Sequence, residues 1–214
     1  MTDTTVQNRN VGRKATISKE EIIQATLNLI GNGRSISSLS LREITREAGI
    51  APNSFYRHFK DIDSLAIELI TLAGQVLRQI IREARLYAIP NRGLIGRSVE
   101  IFLQQLDADS GYLSLLLREG YTGSASYKQA VEQQLTYFQQ ELQDDLERIG
   151  NLHRSKMQRH DLVAKAITQL VFNMGAKVQN LSLVEREVVA EETILMIRMI
   201  LEGSQHLVNK ESED

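Results

Sequence analysis

Pro52 and Pro90 are the only prolines among 214 residues, so long stretches of the chain hold no residue that must break a helix. Within those stretches apolar residues recur at three- and four-residue spacing, and nowhere does a run alternate with a period of two. The pattern predicts an all-α chain of about nine helices. The longest stripe is Leu65, Leu69, Leu72, Val76 and Ile80, widened by Ala66, Ala73 and Leu77. It predicts a helix from Asp61 to about Ala88, roughly 40 Å long at 1.5 Å per residue. Ile89-Pro90-Asn91-Arg92-Gly93 ends it. Further helices are expected near residues 93–107, 110–118, 124–149, 156–179 and 186–208, with Gly111, Gly120-Tyr121-Thr122-Gly123 and Gly150-Asn151 as boundaries.

The segment before Asp61 has a different grain. Ser18 and Glu21 form a Ser-x-x-Glu capping box, which satisfies two orphan backbone donors at a helix start. Ile22, Ile23, Leu27 and Ile30 follow at helical spacing, and Gly31-Asn32-Gly33 stops the helix. Ser40 and Glu43 open a second box, and Leu41, Ile44 and Ala48 share one face of a helix barely two turns long. Gly49 ends it and Pro52 starts another, proline being at home in the first helical turn. Phe55 and Phe59, four residues apart, share a face and can plug a small core. A longer helix followed by two short ones across a tight glycine turn describes a helix-turn-helix. The expected organisation is an arm at residues 1–16, this head at 17–60 and a helical body at 61–214.

Charge divides at the same place. Residues 1–60 carry nine Lys or Arg against five Asp or Glu; residues 61–214 carry sixteen against twenty-two, within a net charge of −2. A basic head on an acidic body suits a nucleic-acid-binding head. Arg9, Arg13 and Lys14 in the arm could reach phosphates or a minor groove. With Phe55 and Phe59 inside, Asn53, Ser54 and Arg57 project elsewhere on the short helix. Asn pairs bidentately with adenine and Arg with guanine in the major groove. Tyr56, His58 and Lys60 flank that face, and with Ser40 supply groups that hold phosphates.

Catalysis finds no footing. The chain has no cysteine, hence no thiolate nucleophile or Cys-ligated metal. His58, His153, His160 and His206 lack metal-ligand spacing, Asp144 and Asp145 diverge on a helix, and no Gly-x-Ser-x-Gly, Walker or dinucleotide motif occurs. No enzyme activity, metal or cofactor is expected. The first twenty residues contain no apolar run of the kind a secretory signal has, and the densest apolar run, Ile194–Leu201, falls short of the roughly 20 residues of a spanning helix. A cytoplasmic protein is expected.

Ser40–Leu65, SLREITREAGIAPNSFYRHFKDIDSL, resembles the signature of the TetR family of bacterial transcriptional regulators. The resemblance covers about 45 residues, from Ser18 to Leu65. Phe55-Tyr56-Arg57-His58-Phe59 matches the family's aromatic ending of the helix-turn-helix, and Lys60-Asp61 its entry into a long fourth helix. One residue departs: many members cap the reading helix with Ser or Thr where this chain has Ala51, and such a cap contributes about 0.5–2 kcal/mol. The same stretch, with Leu113–Val131 (LSLLLREGYTGSASYKQAV), is most similar to FabR-type repressors of unsaturated fatty-acid synthesis. The resemblance implies repression of fatty-acid synthesis genes in response to acyl-CoA or acyl-carrier-protein thioesters; a drug or other lipophilic effector is the alternative.

The body carries two further expectations. Leu162, Val163, Ala166, Ile167, Leu170, Val171 and Met174 recur at three and four, and Ile194–Leu201 is apolar on every side except at Arg198. A helix apolar all round needs partners all round. The resemblance implies a two-fold dimer through the last two helices, with Leu162, Ala166, Leu170, Ile194, Ile197 and Leu201 in the interface and a pseudo-palindromic duplex as target. Phe102, Leu106, Leu116, Tyr127, Phe138, Phe172 and Met174 could line an apolar ligand pocket, with Arg118 facing a thioester, a phosphate or its neighbour Glu119.

Overall fold

A computed structural model describes residues 17–31, 33–86, 93–106, 108, 111–153, 157–179 and 181–207. The expected arm residues Arg9, Arg13 and Lys14 lie outside them. Among the described residues there are nine α-helices and no strand: α1 Lys19–Ile30, α2 Leu41–Glu47, α3 Pro52–Phe55, α4 Ile62–Leu86, α5 Gly93–Gln104, α6 Tyr112–Thr122, α7 Ala125–His153, α8 His160–Val178 and α9 Leu183–Leu207. A 3-10 turn, Ile36–Ser38, sits between α1 and α2.

Local chemistry sets most helix starts. Ser18 Oγ accepts from the Glu21 amide at 3.2 Å while Glu21 Oε2 accepts from the Ser18 amide at 2.9 Å. Ser40 and Glu43 repeat the arrangement. Asp61 and Ser64 form a reciprocal pair at the head of α4, with Asp61 Oδ1 accepting from the Ser64 amide at 2.7 Å. α3 has no side-chain cap: Ala51 stands at the N-cap position and Pro52 at the first helical position. In the head, the two turns with a left-handed backbone carry glycine, at Gly33 (φ 82°) and Gly49 (φ 67°).

Several boundaries differ from the expectation. α6 continues through Gly120 to Thr122, because that glycine lets α6 approach α7: a Cβ there would meet Val131 Cγ1 at 3.2 Å. α7 runs through Gly150 to His153. α9 starts three residues early, at Leu183, because Ser182 and Glu185 form a third capping box.

One apolar core joins head and body. Ile22, Ile36, Ile44 and Phe55 are fully buried and pack in the same cluster as Leu65, Leu69, Ile70 and Leu77 of α4 and Leu115 and Leu116 of α6. α4 contains Ile62–Glu83, a stretch long and apolar enough to cross a bilayer by length and composition; here Leu65, Ala66, Leu69, Ile70, Ala73 and Leu77 are buried within the fold. A second cluster, centred on Val99, Val163, Ile167 and Ile197, joins α5, α8 and α9.

The caps make stability acid-sensitive. Glu43 is pulled from an ordinary 4.5 down to about 2, first by the Ser40 amide and then by its hydroxyl and Arg34. Asp61 is lowered chiefly by the Ser64 amide. A carboxyl depressed in the folded state contributes stability that is complete above its unfolded value and lost as pH falls through its folded one. Thermal stability should therefore hold from pH 7 to about 5 and then decline between about 4.5 and 2. Ser40→Ala should raise the Glu43 titration midpoint, followed by NMR of the carboxyl carbon, back toward 4.5.

Candidate nucleic-acid interface and internal cavity

α3 is a single turn, and one side of it is anchored. Phe55 is fully buried against Phe59, their ring centroids 5.6 Å apart. That anchor leaves Asn53 and Arg57 exposed and Ser54 half-buried. Tyr56 stands edge-on to Phe55 at 5.6 Å and is 56% exposed. Lys60 is exposed. The amide, the guanidinium, the phenol and the ammonium are thus all exposed within eight consecutive residues. His58 is placed differently: its Nε2 is buried with no hydrogen-bond partner, so it offers less of its ring to a phosphate than Tyr56 or Lys60 does. The Ser40 hydroxyl is engaged in the α2 cap, donating to Glu43 Oε2 at 2.8 Å. Beside it Arg42 is exposed and forms no ion pair with a described residue. Arg42 lies outside the expected set because it carries no motif of its own.

Three polar contacts set the head on the body, and one more steadies the start of α4. Glu119 of α6, fully buried, accepts from the Ile36 amide at 2.9 Å through Oε1 and from the Ser35 hydroxyl at 3.0 Å through Oε2. Lys19 of α1 pairs with Glu68 of α4 and lies over the Phe59 ring. The buried Tyr127 hydroxyl of α7 donates to Asp63 Oδ1 at 2.6 Å, in the first turn of α4. Burial first, and then that bond, push the Tyr127 phenol well above its ordinary range. Further along α4, Arg78 bonds Gln134 at 2.8 Å and Glu141 at 3.2 Å and lies over the Tyr137 and Phe138 rings.

Between α4, α5, α7, α8 and α9 lies a cavity of about 520 Å³. Phe102, Phe138 and Phe172 form one wall, with ring centroids 5.6 and 5.5 Å apart in edge-to-face pairs. Ile81, Val99, Leu142, Leu146, Ile167 and Val171 complete an apolar lining, and Ser98, Asp145, Thr168, Arg198 and Gln205 add polar groups. Ile81 belongs to α4, so the cavity touches the helix whose other end carries Asp61. Of the expected lining, Phe102, Phe138 and Phe172 are there. Leu106 packs against the main core, Leu116 is inside it, Tyr127 faces Asp63, and Met174 is half-buried away from the cavity. Arg118 lines a separate surface cleft. The polar lining residues lie on helices whose mutual rotation no spacing rule fixes.

The last two helices divide by face. Ile197 is 4% exposed and, with Leu201, lines the cavity. Ile194 and Leu170 are half-buried, Ala166 is exposed, and Leu162 is largely exposed. The apolar residues that face outward on α9 are Leu183, Val184, Val188, Leu195 and Met199.

Residues 22–69 match the family model described as bacterial regulatory proteins of the tetR family. The fold also matches solved regulators. A transcriptional regulator from Rhodococcus sp. Rha1 superposes with a TM-score of 0.68 at 16% identity, over 88% of this chain and 98% of that one. The fatty acid degradation regulator FadR from Bacillus halodurans gives 0.65 at 16%, over 86% and 94%. FadR from Bacillus subtilis, in complex with stearoyl-CoA, gives 0.64 at 14%, over 87% and 99%. The head that carries Asn53 and Arg57 is thus an N-terminal domain of the tetR family of bacterial regulatory proteins.

Proposed function

We propose that this regulator is a homodimeric repressor of fatty-acid synthesis genes, unsaturated ones among them, whose operator affinity answers to acyl-CoA or acyl-carrier-protein thioesters in the cytoplasm. The observation that carries the reading is the apolar cavity. Its volume suits a small lipophilic molecule, its walls are aromatic and aliphatic, and Ile81 of α4 is part of it. The similarity of Leu113–Val131 to FabR-type repressors and the fold shared with a regulator that binds stearoyl-CoA support the acyl class. The polar groups Ser98, Asp145, Arg198 and Gln205 suit the polar end of such a ligand.

α4 is the lever of this mechanism. A ligand against Ile81 and Phe138 bears on the same stretch of α4 that Arg78 clamps to α7. Some 20 residues away, about 30 Å at 1.5 Å per residue, Asp61 launches that helix from the reading turn. Displacement at the cavity changes the separation of two reading heads in a dimer. A ligand drives this only by binding the two arrangements unequally. The test is operator affinity, by fluorescence anisotropy, with saturated and unsaturated acyl-CoA and separately with lipophilic cations. Acyl thioesters should change affinity, in either direction; a response confined to the cations would replace the acyl reading with a drug-sensing one.

The head assignment has its own test. Arg57→Ala should lose about 1–3 kcal/mol on the operator and relax base preference, leaving scrambled duplex nearly unaffected. Lys60→Ala should weaken both duplexes alike and reduce the salt slope by about one. Unchanged selectivity in Arg57→Ala would remove that residue from the base-reading set.

A further inference from the structure

The surface cleft between α6 and the end of α8 differs in its lining from the apolar cavity. It measures about 650 Å³ and is lined by Leu117, Arg118, Tyr121, Asn173, Lys177 and Gln179, with Thr122 and Ala176. Its lining carries two cations, Arg118 and Lys177, and no acidic residue, on a chain whose net charge is −2.

Arg118 is the unusual group. Its side chain is only 17% exposed, and Nε is buried with no hydrogen-bond partner. The nearest carboxyl oxygen, Glu119 Oε1, stands 4.0 Å away, beyond hydrogen-bond reach, and is already accepting from Ile36. Burial pushes the guanidinium below the usual arginine range and Glu119 only partly opposes it. Arginine remains a cation with five donors in a fixed fork, and a buried donor without an acceptor is costly. Around it the cleft is built of donors. The Tyr121 hydroxyl donates to Asn173 Oδ1 at 2.5 Å, which occupies the amide's acceptor and leaves its NH₂ to donate. Lys177 is exposed and in no ion pair with a described residue. Guanidinium, ammonium and amide NH₂, with an apolar floor of Leu117 and Ala176, form a donor set for a tetrahedral oxyanion.

We propose that the α6–α8 cleft is an anion site for a phosphate group, held by Arg118 and Lys177 and oriented by Asn173. The site goes beyond the acyl reading and does not require it. The phosphate has two possible sources: a free inorganic phosphate, or a phosphate of the carrier that bears an acyl thioester.

The experiment is NMR of the amide and guanidinium groups of the full chain, titrated at constant ionic strength with sodium phosphate and, separately, with coenzyme A bearing no acyl group. The expected result is saturable shifts at Arg118 Nε–H and at the amides of Tyr121, Asn173 and Lys177. Affinity should drop about ten-fold in Lys177→Ala, and that exposed position leaves folding untouched. Arg118→Gln should abolish the response. Saturation by inorganic phosphate assigns the free anion; saturation by coenzyme A alone assigns the carrier. No saturable shift with either probe, or shifts that persist equally in both variants, would overturn the site. Because neither probe carries an acyl chain, this result stands apart from the operator test with acyl-CoA.

Discussion

Glu119→Ala should lower the unfolding temperature by roughly 6–12 °C. The substitution removes the acceptor of the buried Ile36 amide, 2.9 Å away, and of the Ser35 hydroxyl, 3.0 Å away. Leaving a buried amide unpaired costs about 1–3 kcal/mol, and the lost bond to Ser35 adds about one more, so about 3 kcal/mol is at stake. In a domain of this size each kcal/mol moves the midpoint by about 2–4 °C. Glu119 also ties the turn between α1 and α2 to the body, so the variant should lose operator affinity as the head loses its fixed seat. Glu119→Gln keeps one carbonyl acceptor for Ile36 and should fall between wild type and alanine. Differential scanning calorimetry decides the point: a midpoint within about 2 °C of wild type for the alanine variant would show that the contact does not hold the head.

That contact also marks where sequence reading stops. Capping boxes are legible because their chemistry closes within three residues: Ser18 with Glu21 and Ser40 with Glu43 stand in the structure as the spacing implies. The reading turn is legible for the same reason, Phe55 and Phe59 being one helical turn apart and both buried. Ser182 and Glu185 carry the same signal, yet the expected start of α9 at 186 follows the apolar periodicity and passes over the box. Gly120 and Gly150 punctuate the sequence but not the helices; Gly120 serves a close approach to Val131 instead of a cap. Glu119 and Ile36 are separated by 83 positions, and no local rule links them. The cavity is opaque in the same way. Phe102, Phe138 and Phe172 could be named as large apolar residues, whereas Ser98, Asp145 and Gln205 join them only through the packing of α5, α7 and α9.

The dimer prediction turns on a rotation that periodicity leaves open. Ile194–Leu201 is apolar nearly all round, so the sequence assigns both Ile197 and Leu201 to a partner as readily as to the chain's own core. The structure turns those two toward the cavity and leaves Leu195 at 53% and Met199 at 60% exposure, in line with Val184 and Val188. We expect the double variant Leu195→Glu, Met199→Glu to fold normally, because both side chains already meet solvent. It should sediment as a monomer, since two carboxylates in each face would be buried against apolar groups without partners. Operator affinity should fall at least about 100-fold, because the second half-site is then no longer held at high effective concentration by the first. Ile197→Glu should behave oppositely: placed at 4% exposure within the core, the charge should unfold the monomer itself by several kcal/mol. Analytical ultracentrifugation separates the two faces of α9, and a double variant that still sediments as a dimer would move the interface away from Leu195 and Met199.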